Sequence, residues 1–208
     1  PTVGVLAHPG QVDVRIAAKA DNANNAMRLI APVEKETREL LGHHIFAEDS
    51  KTMENTVGEL MQSCNITVAV HEDMTGGLVS DRMQQTSPDH FLLGVSATNK
   101  DVIQRMLSTN NVGSITDDPT ELTNKLALAI RLQSGSHLGL ALHAESDAAE
   151  SVENLGHGQT YISVTDGTNF KTRMYNYAGK GRPDRTRMSL NALDLLRTTL
   201  LYGFDDSR

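Results

Sequence analysis

Along the chain, the spacing of apolar residues switches between the period of a strand and that of a helix. Val3 to Ala7 and Val12 to Ala18 read as two strands separated by His8, Pro9 and Gly10, a turn in which Pro and Gly supply special φ values, so a hairpin opens the chain. From Ala23 to Leu41, the residues Ala26, Leu29, Ile30, Val33, Thr37, Leu40 and Leu41 recur at helical spacing, with Gly42 placed as a cap and Pro32 as a candidate bend. His43 to Phe46 reads as a short strand. The first module is thus expected to be a β-β-α-β unit over residues 1–49.

Ser50 is placed to open a helix running to Cys64, with Met53, Val57, Leu60 and Met61 inward and Glu54 and Glu59 in solvent. An apolar run, Ile66 to Val70, then leads through Glu72, Asp73, Met74, Thr75, Gly76 and Gly77 into an amphipathic stretch from Leu78 to Met83, which reads as strand, tight turn, helix. A strand near Phe91 to Ala97 and a helix near Asn99 to Leu107 follow. A longer helix spans Asp118 to Gln133, with Asp117 or Asp118 as its cap and Pro119 in its first turn. Leu138 to Ala144, Thr160 to Val164 and Lys171 to Tyr177 read as strands, the last two joined by a turn at Thr165 to Thr168, and a helix from Asp184 to Leu201 ends the pattern. The expected class is α/β: a small module, then a three-layer α/β/α domain over 50–208 whose mostly parallel sheet finishes in an antiparallel hairpin.

Composition narrows the partners. A net charge of −7 and 4% aromatic residues with no Trp argue against a nucleic-acid binder, which needs a basic field or stacking platforms. No apolar run approaches the roughly 20 residues of a membrane span, so no membrane partner is expected. The single cysteine, Cys64, permits no internal disulfide; it suits a reducing cytoplasm and is expected to be buried at a helix end. The chain starts at Pro1 without Met and is expected to be a fragment or a processed product.

The Glu72 to Gly77 turn carries the strongest chemical signal. A Gly-Gly pair lets backbone N–H groups approach a ligand, and the following helix offers its positive end to an anion or oxyanion. A tight connection without a ligand reads equally well from the local sequence. His71, Glu72 and Asp73 end one strand, while His143, Glu145 and Asp147 could share a face at the end of another, a composition that also fits a divalent-metal or acid–base site. Against the metal reading, the spacing holds no diagnostic ligand motif. Lys180, Arg182, Arg185 and Arg187 could meet a phosphate or an acidic partner, or form a solvated charge run. Glu145 to Gly158 reads as a loop over the pocket.

These residues resemble the CinA family, whose C-terminal domain also occurs alone as a nicotinamide mononucleotide deamidase. Pro1-Thr2-Val3-Gly4-Val5, His8 to Arg15, Pro32 to Arg38, Leu41-Gly42 and Ile45 to Asp49 resemble its KH-like module. Val57 to Leu60, Thr75 to Leu78 and Asn191 to Arg197 resemble its C-terminal domain. The resemblance implies a deamidase that hydrolyses the carboxamide of nicotinamide mononucleotide with release of ammonia, and a homo-oligomer; the family's N-terminal molybdopterin-binding-like domain is absent from this chain. The family motif E-S-C-T-G-G carries a serine nucleophile. Here Asp73 stands at the serine and Met74 at the cysteine, while Glu72, Thr75, Gly76 and Gly77 match. The motif Y-S-N-E-A-K, with its activating lysine, corresponds to Ala97 to Val102: Val102 falls at the lysine without gaps, and Lys100 does so only in a shifted alignment. T-G-I-A-G-P is replaced around His143 to Ala148.

The resemblance carries over residue by residue as an expectation. Asp73, Thr75 and Lys100 would do any chemistry; Glu72, Gly76, Gly77, His143 and Glu145 would line the substrate, a small nucleotide such as nicotinamide mononucleotide; no cofactor or resident metal is expected. Asp73 has no hydroxyl, and a carboxylate is a poor nucleophile toward an amide, so the expected activity is in question. The alternatives are a catalytically inactive nucleotide-binding or oligomerisation module, and a metal-assisted hydrolase. Between Val3 and Asp49 there is no G-x-x-G loop of the RNA-binding kind, so the first module is expected to act as a spacer or dimerisation element.

Overall fold

A computed structural model describes residues 1–146, 157–179 and 181–205. It divides into a first unit, Pro1–Lys51, and a second beginning at Thr52. In the first unit, β1 (Thr2–His8) and β2 (Gln11–Ala17) pair antiparallel across Pro9 and Gly10, with Gly10 at φ +86°. Helix α1 (Ala23–Leu41) is capped by Asn22, whose side chain accepts from the Asn25 N–H at 2.9 Å, and it continues through Pro32. The expected strand at His43 to Phe46 does not form. Gly42 leaves α1 at φ +50° and a single 3₁₀ turn, Gly42–His44, follows, and the segment pairs with no strand among the described residues. Arg38 instead ties the exit segment back to the helix, reaching Glu34 and Glu48 at 2.7 Å each.

The second unit is built on a five-stranded sheet in the order β4 (Phe91–Ser96), β3 (Val68–Glu72), β5 (Leu138–Ser146), β6 (Gly158–Thr165), β7 (Phe170–Tyr175). β3 runs parallel to both β4 and β5, whereas β5/β6 and β6/β7 are antiparallel, so the sheet is mixed, with parallel strands at one side. All five residues of β3 are buried, which fits its apolar first three residues, Val68, Ala69 and Val70, and leaves His71 and Glu72 buried at its end. Helices α4 (Lys100–Thr109) and α5 (Pro119–Ser134) cover one face; α2 (Met53–Cys64), α3 (Leu78–Thr86) and α6 (Arg182–Tyr202) cover the other. Gly139 lets α5 lie close on β5: a Cβ there would come within 2.0 Å of the Ala127 carbonyl oxygen.

Several local expectations are corrected. Thr52, not Ser50, caps α2, accepting from the Asn55 N–H at 3.3 Å. Leu60 is only half-buried, and Glu54 is not solvated but pairs with Arg82 at 3.1 Å. Cys64 is exposed, because α2 presents its last residue to solvent before Asn65 turns left-handed. Of the two caps expected for α5, Asp118 is the one that serves, accepting from the Thr120 and Glu121 N–H groups at 2.9 and 3.3 Å. Among the described residues, no helix is long and apolar enough to cross a membrane.

Candidate functional site

The β3–α3 connection is an elbow at the C-terminal edge of the parallel strands, where α/β folds hold ligands. It is possible because Gly76 and Gly77 both adopt left-handed backbone, at φ +64° and +93°. Glu72 holds its shape from within. The buried carboxylate accepts from the Thr75 hydroxyl (2.5 Å), the Val79 N–H (3.0 Å), the Ser80 N–H (2.9 Å) and the Ser80 hydroxyl (2.6 Å). It therefore satisfies two of the orphan donors of α3 and places a negative charge at the positive end of that helix. From the far side, Arg185 donates through Nε (2.9 Å) and Nη2 to the Thr75 carbonyl, and a Cβ on Gly76 would meet this guanidinium at 2.8 Å.

Asp73 lies one residue beyond β3. Because Glu72 is in register with Leu142, the next pair along brings Asp73 to His143. Asp73 is 8% exposed; its Oδ2 accepts from His143 Nδ1 (2.7 Å) and the Ala144 N–H (3.3 Å), and its Oδ1 from the Met74 N–H. Glu145 lies on the other side of the imidazole, 3.9 Å from Nε2. Burial acts to lower the His143 pKa, but the Asp73 hydrogen bond and charge, with Glu145, outweigh it and hold the imidazolium above its ordinary range. Tyr161, paired with His143 across β5/β6, stacks on it with centroids 6.5 Å apart and donates its hydroxyl to Gln159. Burial, then Glu145 and Asp118, push that phenol up.

His71 lies two residues before Asp73 on the same face. It is fully buried, neither ring nitrogen has a hydrogen-bond partner among the described residues, and desolvation lowers its pKa to about 4 despite the nearby Asp73 carboxylate. The ring is neutral at pH 7.

The structure thus brings Glu72, Asp73, Thr75, Gly76, Gly77, His143 and Glu145 to one edge, divided between two tasks. Glu72 and Thr75 are engaged in holding the elbow, and the Thr75 hydroxyl is donated to Glu72. Asp73, His143 and Glu145 form a line of acid, base and acid. Lys100, at the start of α4, is exposed and is not among the hydrogen-bond partners of Asp73; Val102, also exposed, follows on the same helix. Arg187 lies over the Tyr177 ring at 5.1 Å, and Arg182 is exposed. Lys180, Asp147 and most of the expected pocket loop lie outside the described residues. Among the described residues, no group of three or more His, Cys, Asp or Glu is placed to hold a metal ion.

Sequence reasoning missed Ser80, Tyr161 and the role of Arg185. Ser80 had a signal: it sits in the first turn of a helix that follows a strand-end carboxylate. Tyr161 had none, since its pairing with His143 depends on a register the intervening loop leaves open.

Comparison with known proteins agrees with this architecture. The family description "Damage-inducible protein CinA KH domain" matches residues 1–47, and "CinA C-terminal domain" matches residues 50–200. A CinA-like protein of Gloeothece citriformis is 29% identical and one of Kosmotoga olearia 26% identical, each over 97% of this chain and 50% of its own length. The chain therefore spans about half the length of these curated relatives. Crystal structures of competence-damaged protein (CinA) superfamily proteins share the fold: that from Klebsiella pneumoniae superposes at TM-score 0.59 with 13% identity, covering 72% of this chain and 96% of its own. That from Enterobacter cloacae gives 0.58 with 15% identity, covering 75% and 97%. With both of its units matched in order, the chain belongs to the CinA family.

Proposed function

We propose that the second unit is a nucleotide-recognising CinA domain that has kept the frame of the family's pocket and lost its serine-type deamidation. The observation that carries this reading is Asp73. The position that resemblance assigns to a serine nucleophile holds a carboxylate already bonded to His143, Met74 and Ala144. Covalent amide hydrolysis needs a hydroxyl or thiol there and a base to take its proton. The hydroxyl of Thr75, two residues on, points its proton into Glu72, and Lys100 is not among the hydrogen-bond partners of Asp73. The frame remains, because Glu72, Gly76 and Gly77 form an unstrained elbow at the strand ends. Two carboxylates flank a single imidazole, so the edge carries net negative charge whether or not that ring is protonated, which suits the pyridinium ring of nicotinamide mononucleotide.

Ammonia release is the test. Incubation of the chain with nicotinamide mononucleotide is expected to give none above buffer. Asp73→Ser is expected to stay inactive as well, since the lysine and the T-G-I-A-G-P loop are also replaced. Release by the unaltered chain, or at enzyme-like rates by the single variant, contradicts the proposal. The Asp73–His143 pair supports a second reading: with Nδ1 held by Asp73, Nε2 could take a proton from water attacking the amide. That reading requires ammonia release which His143→Ala abolishes.

A further inference from the structure

The edge that carries the elbow has opposite charges on its two faces. β7 runs parallel to β5, since each is antiparallel to β6, so Tyr175 and the start of α6 come to the same edge as Asp73 and His143. Ala144, Thr160 and Tyr175 form one row across that edge, and the Thr160 hydroxyl donates to the Tyr177 carbonyl at 2.6 Å. Asp73, His143 and Glu145 lie on the α5 face, in line with Ala141, which packs against α5. On the α6 face, Arg185 meets the Thr75 carbonyl and Arg187 covers the Tyr177 ring. Arg182 starts the helix, and Asp184, the one carboxylate among residues 182–187, is buried.

The start of α3 is a poor place for a ligand's anion. Its Val79 and Ser80 N–H groups are taken by Glu72, whose carboxylate repels a second negative charge. The arginines supply what α3 does not. Arg185 gives Nε and Nη2 to a single carbonyl, which fixes the plane of its guanidinium. Its end-on fork, Nη1 with the other N–H of Nη2, has no partner among the described residues, and such a fork matches two oxygens of a phosphate. Gly76 lacks the side chain that would crowd this guanidinium, so the elbow does not screen it. Arg182, three residues earlier, neighbours Arg185 on the helix surface; it is exposed and has no ion-pair partner among the described residues. Farther down α6 the pattern differs: Asp194 pairs with Arg197 at 2.8 Å and with Arg173 of β7 at 3.3 Å.

We infer that Arg182 and Arg185 form a phosphate subsite across the elbow from the Asp73–His143 pair, so that the pocket takes a mononucleotide with its cationic base on the α5 face and its phosphate on the α6 face. The cationic end of this assignment rests on the nucleotide-recognising reading above. The anionic end rests on the arginines alone.

The test is calorimetric titration of the full chain with three probes: ribose 5-phosphate, nicotinamide riboside and nicotinamide mononucleotide. Ribose 5-phosphate is expected to bind, and Arg182→Ala is expected to weaken it and the mononucleotide at least about tenfold, the worth of one charged hydrogen bond. The riboside, which has no phosphate, should bind Arg182→Ala as it binds the unaltered chain. Arg182 is exposed, so the variant should keep its urea midpoint. Arg185→Lys, which keeps the charge and loses the fork, should weaken both phosphorylated probes as well. Arg105→Ala, an exposed arginine on α4, serves as the control for a lost positive charge and should change nothing. No binding of ribose 5-phosphate overturns the inference, as does equal binding by Arg182→Ala or equal weakening by Arg105→Ala. Mononucleotide binding that ignores Arg182 would leave the nucleotide reading in place and remove this subsite. Ribose 5-phosphate binding that depends on Arg182, with neither pyridinium probe binding, would do the reverse.

Discussion

On the α3 side of the elbow, Glu72 has its carboxylate closed off by Thr75, Val79 and Ser80; on the opposite face, one residue further, Asp73 holds an imidazole that reaches toward the partly exposed Glu145. Two adjacent carboxylates thus differ because successive residues at a strand end point to opposite faces. One face is filled by the first turn of a helix, which supplies backbone donors. The other opens at the sheet edge and is met by a side chain from β5. The frame of the site and its chemistry are therefore separable, and a chain can lose one while keeping the other.

Removing the frame carboxylate should have the largest effect. Glu72→Ala strands two backbone N–H groups and two hydroxyls in a buried setting, and urea unfolding of the second unit is expected to show a loss of about 3–5 kcal/mol. Asp73→Asn, which keeps the shape and part of the bonding, should cost about 1 kcal/mol. Equal losses from the two would erase the contrast between the faces.

His71 sharpens the comparison from below the Asp73 side. Its folded pKa, near 4, lies below the unfolded value near 6.5, so in acid the unfolded chain takes up a proton that the native one refuses. Stability should fall as pH drops from about 6.5 to about 4, by about 3 kcal/mol at 1.36 kcal/mol per unit. His71→Leu should flatten that part of the stability profile; an unchanged slope counts against a neutral buried imidazole.

Gly76→Val tests whether the elbow needs its left-handed backbone and its closeness to Arg185. A β-branched residue at φ +64° is strained, and about 2 kcal/mol of stability should go, together with nucleotide binding while the fold persists. Retained binding would detach the elbow from the ligand. The smallest expected effect is that of His143. Its folded pKa is raised, so its pairing with Asp73 stabilises fully below the unfolded value and is lost as pH rises through the folded one. His143→Gln should remove this alkaline-side decline and leave the acid-side slope of His71 in place.

Much of this architecture is legible in the sequence, for local reasons. The apolar run before Glu72, the Gly-Gly pair, Asp118 before Pro119 and the Asp166 turn each specify their element within a few residues. Asp166 indeed accepts from the Thr168 and Asn169 N–H groups at 2.8 and 2.7 Å. What escaped depends on distant partners. His43 to Phe46 has the composition of a strand but pairs with none of the strands among the described residues. Glu54 reads as a solvated helix residue until Arg82, far along the chain, is folded against it. Of the site, the elbow and its Asp73 were visible, whereas the engagement of Glu72 by Ser80 and of Thr75 by Arg185 required the packing of α3 and α6.

The most direct test of the central claim is a calorimetric titration of the chain with nicotinamide mononucleotide, because one trace separates binding from turnover. A pocket that recognises the nucleotide without hydrolysing it gives saturable injection heats and a baseline that returns to its starting level. A sustained heat after each injection, the mark of continuing hydrolysis, or no heat of binding at all, would contradict the account.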